Sequence, residues 1–131
     1  MNSKFLMASS ALVMGAAGIV GTFLPHELLG ALHLPASGLL PLIIQLLAAL
    51  LLAFAMVNWM AKESAIGGIY NRPLAVGNLT HFAVGAITLA KFIAGGAAPP
   101  FVIGAAVFYV AFAIGFGVLV FGVRMPQRSE S

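Results

Sequence analysis

Four long stretches of the chain carry no charged side chain, and the charges and prolines gather between them. Phe5 to Leu24 ends at Pro25. Leu39 to Met60 ends just before Lys62 and Glu63. Leu74 to Ala90 closes with Lys91, and Phe101 to Val123 follows Pro99 and Pro100 and ends at Arg124. Each is near the ~20 residues that a helix rising about 1.5 Å per residue needs to cross the hydrocarbon core of a bilayer. The pattern predicts four membrane-spanning helices over about 5–24, 39–60, 73–93 and 101–123. The stretches are too long for barrel strands and lack period-two alternation. The expected fold is an all-α, antiparallel, integral membrane four-helix bundle, forming one transmembrane domain over residues 1–131.

Prolines refine this picture. Pro41 and Pro73 fall near the starts of the second and third spans, where a missing N–H costs nothing. Pro25, Pro99 and Pro100 fall in the connections, and no proline interrupts the middle of a span, so no proline kink is expected. The connection from Pro25 to Pro35 has room for a short interfacial helix. Two helical turns would place His26 and His33 on one side of it, with Leu28, Leu32 and Leu34 leaning toward lipid or the bundle.

Composition supports the membrane reading. The chain is 62% hydrophobic and 7% charged, against roughly 25% charged in soluble domains. Such a chain cannot cover a water-facing surface. The six Lys and Arg residues are too few and too scattered for a nucleic-acid face, and no nucleic-acid partner is expected. Lys4, Lys62, Arg72, Arg124 and Arg128 fall on one side of a four-span topology, and Lys91 falls on the other. This bias predicts a multi-pass protein of the bacterial inner membrane with both termini and the middle loop cytoplasmic. The first span, with Lys4 ahead of it and the small residues Gly15 to Gly18 within it, has some features of a signal peptide. Its apolar run is long for one, and it is expected to remain as a span.

The residues available for chemistry are few. There is no cysteine and no aspartate, and the carboxylates are Glu27, Glu63 and Glu130. Thiolate chemistry, iron–sulfur clusters and cysteine-based quinone or vitamin K reduction are excluded. Paired-carboxylate catalysis fails because Glu27 and Glu63 fall on opposite sides of the membrane. A Ser-His-Asp triad lacks its aspartate. Proton-coupled export of the small multidrug resistance type lacks its membrane-embedded carboxylate. His26, Glu27 and His33 have the residue types of a zinc site, but their spacing matches no zinc motif. A solvated loop is the plainer reading, with Glu27 near a helix N-terminus or Lys91. No metal and no cofactor are expected.

Within the spans, His81 is the one deep ionisable side chain, and such residues are candidate functional sites. Asn78, His81, Gly85 and Thr88 share one helical stripe by their three-four-three spacing. Asn58 falls at a depth close to that of Asn78, which predicts a polar seam between the second and third spans, with Gln45 nearer the outer side. Asn58, Asn78 and His81 are the candidate ligand-binding residues. The alternative is that they only hydrogen-bond between helices. In the middle loop, Gly67 and Gly68 permit a turn. Tyr70, Arg72, Lys62 and Trp59 suit the interface and lipid head groups, and the phosphate-binding spacing of a P-loop is absent. Small-residue pairs at Ala11/Gly15, Ala17/Gly21 and Ala111/Gly115 offer close helix packing.

The segments Gly67-Gly-Ile-Tyr-Asn-Arg-Pro-Leu74 and Gly77-Asn-Leu-Thr-His-Phe82, with the overall size and span layout, resemble the DoxX-like group of small bacterial four-helix membrane proteins. Some members are linked to quinone-associated redox complexes, so the resemblance implies an accessory subunit near a quinone pool. The leading expectation is a non-enzymatic accessory or assembly subunit or homo-oligomer, with the lipid bilayer and a membrane protein as partners. The alternative is a small-molecule or quinone-binding protein with its site between the second and third spans.

Overall fold

The computed structural model describes residues 3–64 and 71–122. The Gly67–Gly68 turn, the Tyr70 anchor, and Arg124, Arg128 and Glu130 lie outside the described residues. Among the described residues five α-helices run in order: α1 Ser3–Phe23, α2 Pro25–Ala31, α3 Leu40–Ala61, α4 Arg72–Ala94 and α5 Pro100–Gly122. All regular structure among the described residues is helical. Four of these helices, α1, α3, α4 and α5, are long and apolar enough to cross a membrane. Their described ends lie within two residues of the spans expected from the uncharged runs.

Prolines open more helices than expected. Pro41 and Pro73 occupy first turns as anticipated, but Pro25 also opens α2 and Pro100 opens α5, rather than lying in connections. The fixed φ of proline suits a first helical turn, and its absent N–H has no partner there in any case. The short helix α2 exists, yet it does not place His26 and His33 on one side. It ends at Ala31, and His33 adopts a left-handed φ of 56°. The His33 N–H donates to the Gly30 carbonyl at 3.1 Å, and the Leu34 N–H donates to the Leu29 carbonyl at 2.9 Å. Together these bonds form a Schellman termination with histidine in the position glycine usually takes. The residue that anchors α2 is Leu29, which is fully buried, while Leu34 is exposed.

The chain divides into two compact units, Met7–Glu63 and Met1–Leu6 with Ser64–Ser131. In the first unit α1 and α3 run antiparallel. Gly15 faces Ala55, Gly18 faces Leu52 and Ala48, and Gly21 faces Ala48 and Ile44. Met7, Ala11, Met14, Gly18 and Gly21 are buried on α1 at alternating spacings of four and three residues, with Ser10 buried beside them. That spacing keeps one narrow seam against a neighbouring helix. Gly18 permits the closest approach, because a Cβ there would lie 2.6 Å from Leu52 Cγ and 3.0 Å from the Ala48 carbonyl oxygen. Lipid tails are as apolar as leucine, so this contact is held by packing and not by expulsion of water.

In the second unit α4 and α5 form a hairpin through the turn at Gly95 to Pro99. The Gly95 N–H reaches the Lys91 and Phe92 carbonyls, each at 3.2 Å, which closes the end of α4. Phe82 stacks on Phe112 with centroids 4.9 Å apart and on Phe116 at 5.8 Å. Leu6 also belongs to this unit and packs against Gly115.

Candidate functional site

Polar side chains in a hydrocarbon setting need internal partners, and the structure supplies them within each unit. Asn58, on the last turns of α3, is fully buried. Its side-chain N–H₂ donates to Ser10 Oγ at 3.0 Å and approaches Met14 Sδ at 3.9 Å. Ser10 is also fully buried, and its hydroxyl donates to the Met7 carbonyl at 2.9 Å, three residues back in α1. Donating to its own helix leaves the Ser10 oxygen free to accept from Asn58. The result is a directed chain from α3 through Ser10 into the backbone of α1. Toward the other end of the same pair, Gln45 Nε2 donates to the Thr22 carbonyl at 3.3 Å. Thr22 Oγ1 is buried there with no hydrogen-bond partner.

Asn78, in the other unit, is likewise fully buried and donates to the Leu74 carbonyl at 3.0 Å, one turn back. His81 is half-buried, and its Nε2 lies 3.2 Å from the Tyr109 hydroxyl of α5, a hydrogen bond in which either group can donate. The imidazole and phenol rings tilt at 47° with centroids 5.4 Å apart. Phe82 meets both rings edge-on, at 5.0 Å from His81 and 5.3 Å from Tyr109. Gly85 lies under the Tyr109 ring, where a Cβ would collide with the ring carbons. This glycine therefore leaves room for the edge of the phenol ring against α4, one turn from His81.

The expected stripe through Asn78, His81, Gly85 and Thr88 is only partly internal. The buried row of α4 is Ala75, Asn78, Phe82 and Ala86. His81 and Gly85 flank it beneath Tyr109. Thr88 is exposed and donates to the Val84 carbonyl of its own helix at 2.8 Å. Phe82 is the largest side chain of the inward row. Tyr109 and Ser10 are the partners that the sequence did not assign. Ser10 shares the seam of Met7 and Met14, which was a usable signal, whereas nothing in sequence pairs Tyr109 with position 81.

The outer loop offers no assembled metal centre. His26 and Glu27 are exposed on α2, Glu27 sits in its first turn, and His33 lies past its end. Among the described residues no three histidine or carboxylate side chains come together to hold a metal ion.

Hydrogen-bonded polar side chains inside long apolar helices define the class of protein: a small multi-pass α-helical membrane protein. Comparison with known proteins goes no further, since no protein-family model, curated protein or solved structure matches the chain.

Proposed function

We propose that this chain is a non-enzymatic subunit of a bacterial inner membrane, acting through helix packing with a membrane protein partner or with further copies of itself. The observation that carries this reading is the Asn58–Ser10 bond. The most buried polar side chain of α3 is directed to a partner on α1, and such bonds hold helices together. The DoxX-like resemblance of Gly77–Phe82 supports a quinone-linked redox complex as one such partner. Native purification in mild detergent, followed by mass spectrometry of co-purifying proteins, is expected to recover a stoichiometric partner or a homo-oligomer. A solitary monomer at cellular expression levels overturns the proposal.

The second reading, a small-molecule or quinone site, draws support from the His81–Tyr109 pair, because an imidazole and a phenol at 3.2 Å can both exchange protons and bind a carbonyl oxygen. The variant His81→Gln decides between the readings. It keeps a donor and an acceptor, so a packing role predicts a melting temperature in detergent and complementation of a deletion strain like those of the parent. The variant His81→Leu should cost about 1 kcal/mol, the scale of one interhelical hydrogen bond in a membrane. A His81→Gln protein that folds and fails to complement establishes the ligand-site reading instead.

The basic residues also support an orientation with both termini cytoplasmic. Reporter fusions after Lys62 and after Arg124 are expected to read cytoplasmic, and a fusion after Ser37 to read external. An external C-terminus refutes this topology.

A further inference from the structure

We propose that the cleft between α1 and α3 binds one anionic phospholipid, with an acyl chain in the cleft and the phosphate on Lys62. The cleft is open on one side, with a volume of about 240 Å³, and its walls are almost wholly apolar. Ala11, Gly15 and Ala55 form its floor. Leu12, Ile19 and Met56, each more than half exposed, form its sides. From Ala11 to Ile19 it follows α1 for eight residues, about 12 Å at 1.5 Å per residue. A narrow apolar trough of this kind on a membrane helix pair accepts a hydrocarbon chain and offers nothing to a polar ligand.

The end of the trough says what that chain is attached to. Trp59 closes it, and tryptophan belongs at the depth of the lipid head groups. The Lys62 ammonium sits 3.6 Å above the Trp59 ring and donates to the Trp59 carbonyl at 3.3 Å. Both contacts hold the cation at the mouth of the cleft, with N–H groups left over for a phosphate oxygen. Glu63, the neighbouring carboxylate, has interactions of its own. A zwitterionic head group would bring its own cation toward Lys62, whereas a phosphate with an uncharged alcohol would not. The leaflet faced by basic residues is also the one in which a lysine near the surface favours anionic lipid.

The test is native mass spectrometry of the full chain, delipidated in detergent and titrated with phosphatidylglycerol or with phosphatidylcholine of identical chains. One phosphatidylglycerol is expected to bind about five-fold more tightly than phosphatidylcholine, the scale of one lysine at a membrane surface. The variant Lys62→Gln should erase that preference and leave phosphatidylcholine binding unchanged. The variant Gly15→Leu should fill the trough and weaken both lipids. Lys62 lies outside the helix packing, so its variant remains decisive even where Gly15→Leu does not fold. Equal affinity for the two lipids, or a preference that survives Lys62→Gln, overturns the proposal. A dimer that Gly15→Leu dissociates, without any lipid preference, overturns it in favour of a second copy of the chain as occupant.

Discussion

Replacing Gly18 by leucine is expected to force α1 and α3 apart. A Cβ at this position would lie 2.6 Å from Leu52 Cγ and 3.0 Å from the Ala48 carbonyl oxygen. The leucine side chain can swing aside, but the carbonyl belongs to the α3 backbone and moves only with the helix. Over-packing typically costs 1–3 kcal/mol, and a separation of backbones puts this variant at about 3 kcal/mol. No water-exclusion term offsets the loss, because lipid can solvate the parted faces. A lower detergent melting temperature is the first readout. A second uses the absence of native cysteine. In a Gly15→Cys/Ala55→Cys background the two Cβ atoms are about 3.5 Å apart, within the Cβ separation of about 3.5–4.5 Å that a disulfide needs. Air oxidation should close this bridge in the parent and fail to close it with Gly18→Leu. An unchanged bridge and an unchanged melting temperature refute the Gly18 contact.

The helices were legible because hydrocarbon imposes a rule that composition must obey. A span cannot hold many charges, so Lys62, Glu63 and Lys91 mark ends as reliably as a cap does. The internal faces were much less legible. In a soluble helix polarity separates inside from outside, but here Leu46, Leu50 and Phe108 face outward as freely as Phe82 and Met14 face inward. Size then replaces polarity as the signal. The pairs Ala11/Gly15, Ala17/Gly21 and Ala111/Gly115 located Gly15, Gly21 and Gly115 correctly. They missed Gly18, and Ala17 and Ala111 are exposed. The reason is periodic: α1 buries a seam that alternates four and three, while a search for small residues four apart follows a row that drifts off that seam.

The candidate site divides in the same way. That Asn78 is internal followed from the cost of leaving an amide unsatisfied in lipid. The spacing of Ser10 with Met7 and Met14 marked it as internal, but neither its pairing with Asn58 nor that of Tyr109 with His81 could follow, because each depends on the register of two helices. Register here is set by close approaches at Gly18 and Gly85, and a glycine announces only that something can come near, not what. The end of α2 was hidden for a related reason. His33 occupies a left-handed position that Gly would have advertised.

The variant Phe82→Ala tests what holds α4 against α5, and its expected cost differs from that of the same change in a soluble core. Phe82 is 2% exposed and contacts Phe112, Phe116, Tyr109 and His81. In water-soluble proteins Phe→Ala costs about 3–5 kcal/mol, part of it the transfer of the ring from water. Separating α4 from α5 inside a bilayer moves the ring into lipid, so that transfer contribution is missing. The cavity contribution survives: ~24 cal/mol for each Å³ over a void of roughly 100 Å³ gives about 2.4 kcal/mol, less whatever lipid or side chains relax into the space. The expected loss is therefore about 2 kcal/mol by reversible unfolding in mixed micelles. The same void removes the ring that meets both His81 and Tyr109, so the contact at 3.2 Å loses its support. A His81 ring resonance that broadens in the Phe82→Ala protein, with helix content unchanged, is the expected NMR result. A loss of about 4 kcal/mol or more would show that burial from water, not packing, dominates this contact, and would place Phe82 outside the hydrocarbon.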